Sequence, residues 1–304
     1  MNWSEKLSCD EVVLIDGGTG SELKRHGVPM SPAAWSGLAV HTHPEAVRAV
    51  HTAYIHAGAE VIIANTFGTA RSLLQAAGIG NEFERINCRA VELASEARDA
   101  AGKSAVDVAI GGSLSNLPPN MDRGKYPPAE LESADLKELA EILVNAGVDI
   151  IALEMLQDTH HAPRAMAAAL TTGLPGWLGV SARLREADHG LVGFNYTDID
   201  FEDILDALIP MGPDVVNVMH TEIAAVAPAI SMIRKRWQGP IGVYPEMPYS
   251  TVPDWRTALS PEEFVDEAKG WLRQGARLIG GCCGTTPDHI AALAQWLQSE
   301  RNES

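Results

Sequence analysis

A chain of 304 residues with 46% hydrophobic and 21% charged residues has the composition of a globular protein that can bury a sizeable core. Its formal net charge of -17 opposes contact with phosphate backbones and anionic lipids, so we expect neither nucleic acid nor membrane as a partner. The first residues lack the apolar stretch of a signal peptide, and no apolar run approaches the roughly 20 residues that span a bilayer. A cytoplasmic protein is therefore expected, and four cysteines are too few for a disulfide scaffold.

Eight short β-branched runs follow one another along the chain, separated by stretches with apolar residues at helical spacing. This alternation predicts an α/β fold and, more specifically, a single (β/α)8 barrel that includes residues 1–304 as one domain. An open doubly wound sheet is the alternative, but the DGGTG turn after the first predicted strand lacks the G-x-G-x-x-G pattern. The predicted strands are 12–18, 61–67, 107–114, 150–155, 176–182, 214–220, 241–246 and 277–284.

The joints between helices and strands repeat, because AGAEVII, AGVDIIA, MGPDVVN and QGARLIG each precede a predicted strand. Such repetition is typical of a repeated βα unit. Longer connections follow the third, fifth and seventh predicted strands, at the carboxyl face where barrel enzymes form their active sites. We therefore predict that the functional site lies on that face.

Cys282 and Cys283 end the last predicted strand, within the glycine-rich sequence GGCCGTTPDHI. Adjacent residues of a regular strand face opposite sides, so both sulfurs reach one metal only if the backbone bends, which the glycines permit. Soft thiolates select zinc, and the pair therefore predicts a zinc site. The alternatives are two ordinary buried thiols or a redox pair, although a vicinal disulfide is strained.

Six short motifs at the ends of predicted strands resemble, in order, those of the homocysteine S-methyltransferase family. In that family, zinc held by three cysteines binds the thiol of homocysteine and lowers its pKa, and the thiolate attacks the methyl group of an onium donor. The resemblance implies an S-methyltransferase that uses a small donor, such as S-methylmethionine or a betaine, and a zinc-activated thiol, with homocysteine as the leading acceptor and methionine as product. The motifs are DGGTGSEL (16–23), ANTFGT (64–69), GGSLSNLPP (111–119), ALEM (152–155), VYPE (243–246) and GGCCGTTPDHI (280–290).

The resemblance also implies roles for residues at matching positions. Asp16 and Glu154 would bind the ammonium group of the acceptor, while Gly17, Gly18 and Thr66 would shape the floor beneath it. From the sequence alone, Asp16 could merely cap the following turn. A carboxylate such as Glu154 at the end of an apolar strand is costly unless it is paired, which favours a functional role.

The chain departs from the family where the first zinc cysteine is expected, because Val218 follows Asn217 and valine cannot bind a metal. His220 lies two residues on, hence on the same face as Val218 if the strand continues, and imidazole is a good zinc ligand. Glu246, at a position where the family usually has asparagine, is the alternative ligand. The departure leaves open a different thiol acceptor or a metal-free binding or regulatory role.

The expected partners are thus a small-molecule thiol and a methyl donor. The sequence leaves open whether the protein forms a homo-oligomer. The chain has no room for separate cobalamin or folate domains, which favours a free small donor. Some aromatic residues near the predicted mouth could hold a cationic donor through their ring faces. They are Trp35, Tyr126, Tyr196, Tyr244, Tyr249 and Trp255.

Overall fold

The computed structural model describes residues 1–247 and 259–303, so two of the predicted mouth residues, Tyr249 and Trp255, lie outside the described residues. The strands are β1 (Val13–Leu14), β2 (Val61–Ala64), β3 (Ala109–Leu114), β4 (Ile150–Leu156), β5 (Gly176–Val180), β6 (Ala182–Leu184), β7 (Leu191–Gly193), β8 (Val215–Glu222), β9 (Ile241–Glu246) and β10 (Ala276–Ile279). The α-helices are α1 (Trp3–Ser8), α2 (Thr19–Arg25), α3 (Ala39–Thr42), α4 (Pro44–Ala57), α5 (Arg71–Ala76), α6 (Phe83–Ala100), α7 (Ala129–Ala146), α8 (Ala162–Leu170), α9 (Phe201–Leu208), α10 (Ile223–Arg234), α11 (Pro261–Arg273) and α12 (Pro287–Glu303). Short 3-10 helices lie at Gly80–Glu82, Pro119–Met121, Arg123–Lys125 and Ile209–Met211.

Eight parallel strands form one sheet in the order β1, β10, β9, β8, β5, β4, β3, β2. A parallel bridge between Ile15 and Val61 joins β1 to β2 and closes the sheet. The predicted (β/α)8 barrel is confirmed, with helices between its strands. The two remaining strands, β6 and β7, pair antiparallel as a hairpin in the long connection after the fifth barrel strand.

Both faces of the barrel strands are buried, which explains why they are apolar runs without alternation. One face turns into the barrel, where Ile15, Val61 and Leu278 pack in an inner cluster. The other face packs against the surrounding helices, as Val216 and Val243 do in the larger outer cluster. These two layers fix the barrel and leave the ends of its strands free to carry polar side chains.

Local sequence signals set the helix boundaries. At the start of α11, Ser260 accepts a hydrogen bond from the backbone of Glu263 (3.2 Å), and Glu263 accepts one from the backbone of Ser260 (2.7 Å). Helices α4 and α7 end at Gly58 (φ 110°) and Gly147 (φ 95°), whose left-handed backbone favours glycine. These capping residues, which can be recognised in the sequence, therefore mark where the three helices begin or end.

Helix α1 covers the amino end of the barrel, opposite the predicted site. Its Trp3 meets Trp177 of β5 edge to face, with ring centroids 5.3 Å apart. Leu7 packs on the same inner cluster. Within the described part of the chain, no helix has both the length and the apolar character needed to cross a membrane.

Candidate active site

A cavity of about 420 Å³ opens at the carboxyl ends of the barrel strands, a size within the range of small-molecule sites. It brings together nearly all of the predicted site residues from four different strand ends. Those in its lining are Asp16, Gly17, Gly18, Glu154, His220, Cys282 and Cys283. Thr66 is not part of the lining: it is buried, and its hydroxyl donates to the carbonyl of Ser113 (2.8 Å).

The cysteine pair lies in a bend that follows β10. The last strand ends at Ile279, three residues before Cys282, so the predicted strand over 277–284 is too long. The bend is held by hydrogen bonds from the backbone of Cys282 to Pro245 (2.9 Å) and from Met247 to Cys283 (2.9 Å). The two sulfurs are 4.0 Å apart and both residues line the cavity, as the metal hypothesis requires.

A glycine permits the close approach of this bend to the loop after β1. A Cβ atom at Gly18 would overlap the carbonyl oxygen of Cys282 and the hydroxyl of Ser21. We therefore expect Gly18→Ala to destabilise the protein by about 1–3 kcal/mol, the usual cost of overpacking, as measured by thermal or urea unfolding. Gly20→Ala is the matched control, because its Cβ would meet only the Ser36 side chain, at 3.2 Å. Equal melting temperatures for the two variants would contradict this expectation.

His220 completes a cluster with the two cysteines. Its Nδ1 atom lies 3.4 Å from the Cys282 sulfur, and one ligand atom of each of the three residues lies within 4.8 Å of the others. Burial lowers the pKa of His220, but the Cys283 thiolate and the Glu246 carboxylate raise it more, to about 9. Hydrogen bonds from Cys282 and charge from His220 hold the pKa of Cys283 below its ordinary value. One imidazole and two thiols thus share one pocket.

The backbone conformation that places His220 in this pocket differs from the regular strand that was predicted. Val218 is fully buried in the outer layer, against the helices, whereas Met219 faces the inner cluster. The pairing of β8 with β9 shifts register after Met219, and His220 has a left-handed backbone (φ 41°). The predicted same-face relation of Val218 and His220 is therefore wrong, because the bulge turns His220 inward.

A similar irregularity in β4 places Glu154 at the cavity. The pairing of β4 with β5 shifts register between Leu153 and Leu156, and Met155 between them has φ 56°. Glu154 and Met155 therefore both face the cavity. Burial raises the pKa of Glu154 to about 7, although the hydrogen bond donated by the Ser113 hydroxyl opposes this rise. A buried carboxyl group with this pKa can change charge when a cation binds.

Asp16 is a second buried carboxyl group at the cavity, and it does not cap the helix that follows it. Its Oδ2 atom accepts a hydrogen bond from the backbone of Ile63 on β2 (2.9 Å), and α2 begins after Gly18 without a side-chain cap. Burial raises the pKa of Asp16 well above its ordinary value, and the charge of Glu154 adds to this. The two carboxyl groups therefore favour a bound cation in the same pocket.

The predicted aromatic residues divide into two groups. Trp35 and Tyr244 line the cavity, whereas Tyr126 and Tyr196 do not. The phenol oxygens of the last two lie 2.8 Å apart and join two of the long connections. Phe67, which belongs to the ANTFGT motif, also lines the cavity, with its ring centroid 5.4 Å from that of Trp35.

The sequence does not identify the further cavity residues as site residues, since methionines normally indicate only a core. Four methionines and a lysine lie in the lining: Met30, Met121, Met155, Met219 and Lys24. The cavity also contains four of the seven described non-glycine residues with positive φ, which are Trp35 (44°), Met121 (57°), Met155 (56°) and His220 (41°). Left-handed backbone of this kind is uncommon outside glycine and often lies at functional sites.

A closed barrel that collects thiol, imidazole and carboxyl groups at the carboxyl ends of its strands is the architecture of a (β/α)8-barrel enzyme. Residues 13–297 match the family model described as homocysteine S-methyltransferase. The chain therefore belongs to the homocysteine S-methyltransferase family, and it is an S-methyltransferase.

Curated relatives are similar to this chain over nearly their whole length. Homocysteine S-methyltransferase YbgG of Bacillus subtilis is 27% identical, with 96% of each chain covered, and homocysteine S-methyltransferase 2 of Zea mays is 26% identical, with 96% of this chain and 91% of the relative covered. A selenocysteine methyltransferase of Astragalus bisulcatus is 27% identical over 94% of this chain and 92% of the relative. Among solved structures, the oxidized form of the homocysteine methyltransferase MmuM from Escherichia coli has a TM-score of 0.73 and 26% identity, with 94% and 96% of the two chains covered. Its metallated form has a TM-score of 0.70.

Proposed function

We propose that this protein transfers a methyl group from a small onium donor to the thiol of homocysteine and so forms methionine. The observation that carries the proposal is one cavity that contains both a cluster of His220, Cys282 and Cys283 and the carboxyl groups of Asp16 and Glu154. The cluster suits a thiol activated by a metal, and the carboxyl groups suit an amino acid's ammonium. The names of the relatives support the same acceptor class.

The side chains of the cluster fit zinc. Two thiols and an imidazole are ligands that zinc prefers, and three protein ligands leave a fourth position for a substrate. We propose that Cys282, Cys283 and His220 hold the ion, and the metallated form of MmuM supports a metal in this family. Zinc, when bound, would lower the pKa of the acceptor thiol so that it is a thiolate at neutral pH.

The remaining cavity residues orient the substrates and exclude water. Glu154 and Asp16 hold the ammonium group, which fixes the acceptor relative to the cysteine pair. Trp35 and Phe67 offer ring faces to a cationic donor. Attack of a thiolate on an onium ion destroys two charges, so a pocket lined by these rings and by methionines favours the reaction by removing the water that stabilises the separated charges.

The proposal is tested by metal analysis and by assay of the same preparation. We expect about one zinc per chain and formation of methionine from homocysteine with S-methylmethionine or a betaine, lost after a chelator and restored by zinc. A panel that adds other small thiols tests whether a different acceptor is preferred. A native protein without metal and without transfer to any of them would instead favour a binding or regulatory role.

We expect Glu154→Gln to weaken binding of methionine more than binding of zinc. Since the pKa of Glu154 is about 7, the native carboxylate is ionised at pH 8 and is protonated as the pH falls to 6. Affinity for methionine should therefore decrease roughly tenfold between pH 8 and pH 6 in the native protein, because each pH unit below the pKa removes about nine-tenths of the charge. The variant should bind weakly at pH 8 and lose most of this pH dependence.

Isothermal titration with methionine measures this effect without interference from a thiol proton, because a thioether does not ionise. Zinc affinity of the same variant is the internal control, and we expect it to stay within about threefold of the native value. Equal methionine affinity of the variant and the native protein at pH 8 would remove Glu154 from the acceptor site.

A further inference from the structure

We propose that Glu246 is a positioning residue for His220, whose carboxylate holds the Nε2 side of the imidazole so that Nδ1 binds the metal. This inference rests on the proposed zinc site and adds which ring nitrogen is the ligand and what orients it. It also assigns Glu246 a place behind the imidazole instead of in the ligand set.

The two ring nitrogens of His220 face different neighbours. Nδ1 lies 3.4 Å from the Cys282 sulfur, while Nε2 lies 3.9 Å from the Oε2 atom of Glu246. A ring nitrogen that binds a metal carries no proton, so in a neutral imidazole the other nitrogen is the N–H donor. With Nδ1 towards the thiols, that donor is the nitrogen on the side of the Glu246 carboxylate.

Glu246 is placed for this role by the sheet itself. It ends β9, the neighbour of β8, and it is only 6% exposed. The shift of register after Met219 lets His220 turn towards the cysteines. Further along β8, the backbone of Glu222 lies opposite that of Glu246 in the pairing of the two strands. The ring of Phe194, which follows the β6–β7 hairpin, packs on His220 with centroids 4.6 Å apart. The imidazole is thus held from its edge and from its face.

The same geometry argues against Glu246 as a direct ligand. Among the residues that the structure describes, the grouped ligand atoms are those of His220, Cys282 and Cys283, and no carboxylate belongs to the group. An outer carboxylate has a distinct effect, because a partner for the second nitrogen fixes the tautomer and raises the basicity of the ligating one. Glu246 also adds a negative charge beside a site in which an imidazole, unlike a third thiolate, contributes none.

Zinc affinity, measured by competition with a chromophoric chelator, tests the assignment. We expect Glu246→Gln to lower the affinity at least tenfold, the scale on which outer partners of metal-bound histidines act. Glu222→Gln is the matched control, because the Glu222 carboxylate forms an ion pair with Arg183 (2.9 Å). The zinc affinity of the Glu222→Gln variant should stay within about twofold of the native value. An affinity of Glu246→Gln that also stays within twofold would overturn the proposal.

A second comparison separates positioning from ligation. In a His220→Ala background, Glu246→Gln should cause no further loss of zinc affinity, because the group that it positions is gone. A loss of the same size in that background would make Glu246 a ligand and overturn the proposal.

The native protein provides a test that needs no variant. Long-range nitrogen–proton spectra of the zinc-loaded protein should show Nδ1 bound to metal and a proton on Nε2, whereas metal on Nε2 would overturn the proposal. A native protein that binds no zinc overturns the proposed function as well. Zinc binding with an unaffected Glu246→Gln variant overturns this inference alone.

Discussion

Cys282→Ser and Cys283→Ser should each remove zinc from the purified protein and abolish methyl transfer. Each thiolate is expected to supply a short bond of about 2.3 Å to the ion, and a serine hydroxyl stays protonated at neutral pH and cannot replace it. The loss of zinc affinity should exceed the roughly 10- to 100-fold that follows removal of an outer partner. Metal analysis and the methionine assay on the same samples measure both effects.

Cys88→Ser is the matched control for these variants. Cys88 is also a free, partly buried thiol, but it lies on α6 and not in the lining of the cavity. It should keep its metal and its activity. Full transfer by a protein with serine at both 282 and 283 would exclude the zinc mechanism.

His220→Ala should lower zinc affinity by at least about tenfold, since it removes the only described imidazole close to the two sulfurs. The acceptor would then meet a weakly occupied site, so activity should fall at limiting zinc and recover in part at high zinc. Titration of zinc, both in the binding measurement and in the methionine assay, separates the loss of zinc affinity from the loss of activity. If His220→Ala binds zinc normally while Glu246→Gln does not, the ligand is the carboxylate and the histidine assignment is wrong.

The orientation of the Val218 side chain adds a second variant to this experiment. Restoration by Val218→Cys would be expected if the two side chains shared a face, but Val218 packs in the outer layer against the helices. A sulfur at 218 would therefore point away from Cys282, and Val218→Cys in the His220→Ala protein should not restore zinc affinity. Recovery of the native affinity would show that β8 has no bulge at this place.

The sequence contains enough information for the barrel and for most of the site. Periodicity and capping residues are local signals, which is why all eight barrel strands and helix ends such as Gly58 and Gly147 could be predicted. The glycines around Cys282 and Cys283 likewise indicated a bend. Residues at the ends of the predicted strands could therefore be expected to lie together in one site.

The directions of two site residues could not be predicted. Glu154 and His220 reach the cavity through bulges at which Met155 and His220 adopt left-handed backbone, and neither a methionine nor a histidine marks that conformation in the sequence as a glycine would. Tertiary packing imposes it. Helix α1 is different, because Asn2 and Glu5 form a capping box, which is a local signal that the sequence itself contains.

The left-handed backbone at Trp35, Met121, Met155 and His220 also bears on how this protein can evolve. Each such residue costs on the order of 1 kcal/mol of folding free energy, and the cost falls on the cavity, not on the outer layers of the barrel. Replacement by glycine at Met121 or Met155 would relieve strain and loosen the wall that faces the substrates. Substitutions at these positions therefore trade folding stability against the rigidity of the wall that faces the substrates, whereas stabilising substitutions in the outer helices leave that wall unchanged.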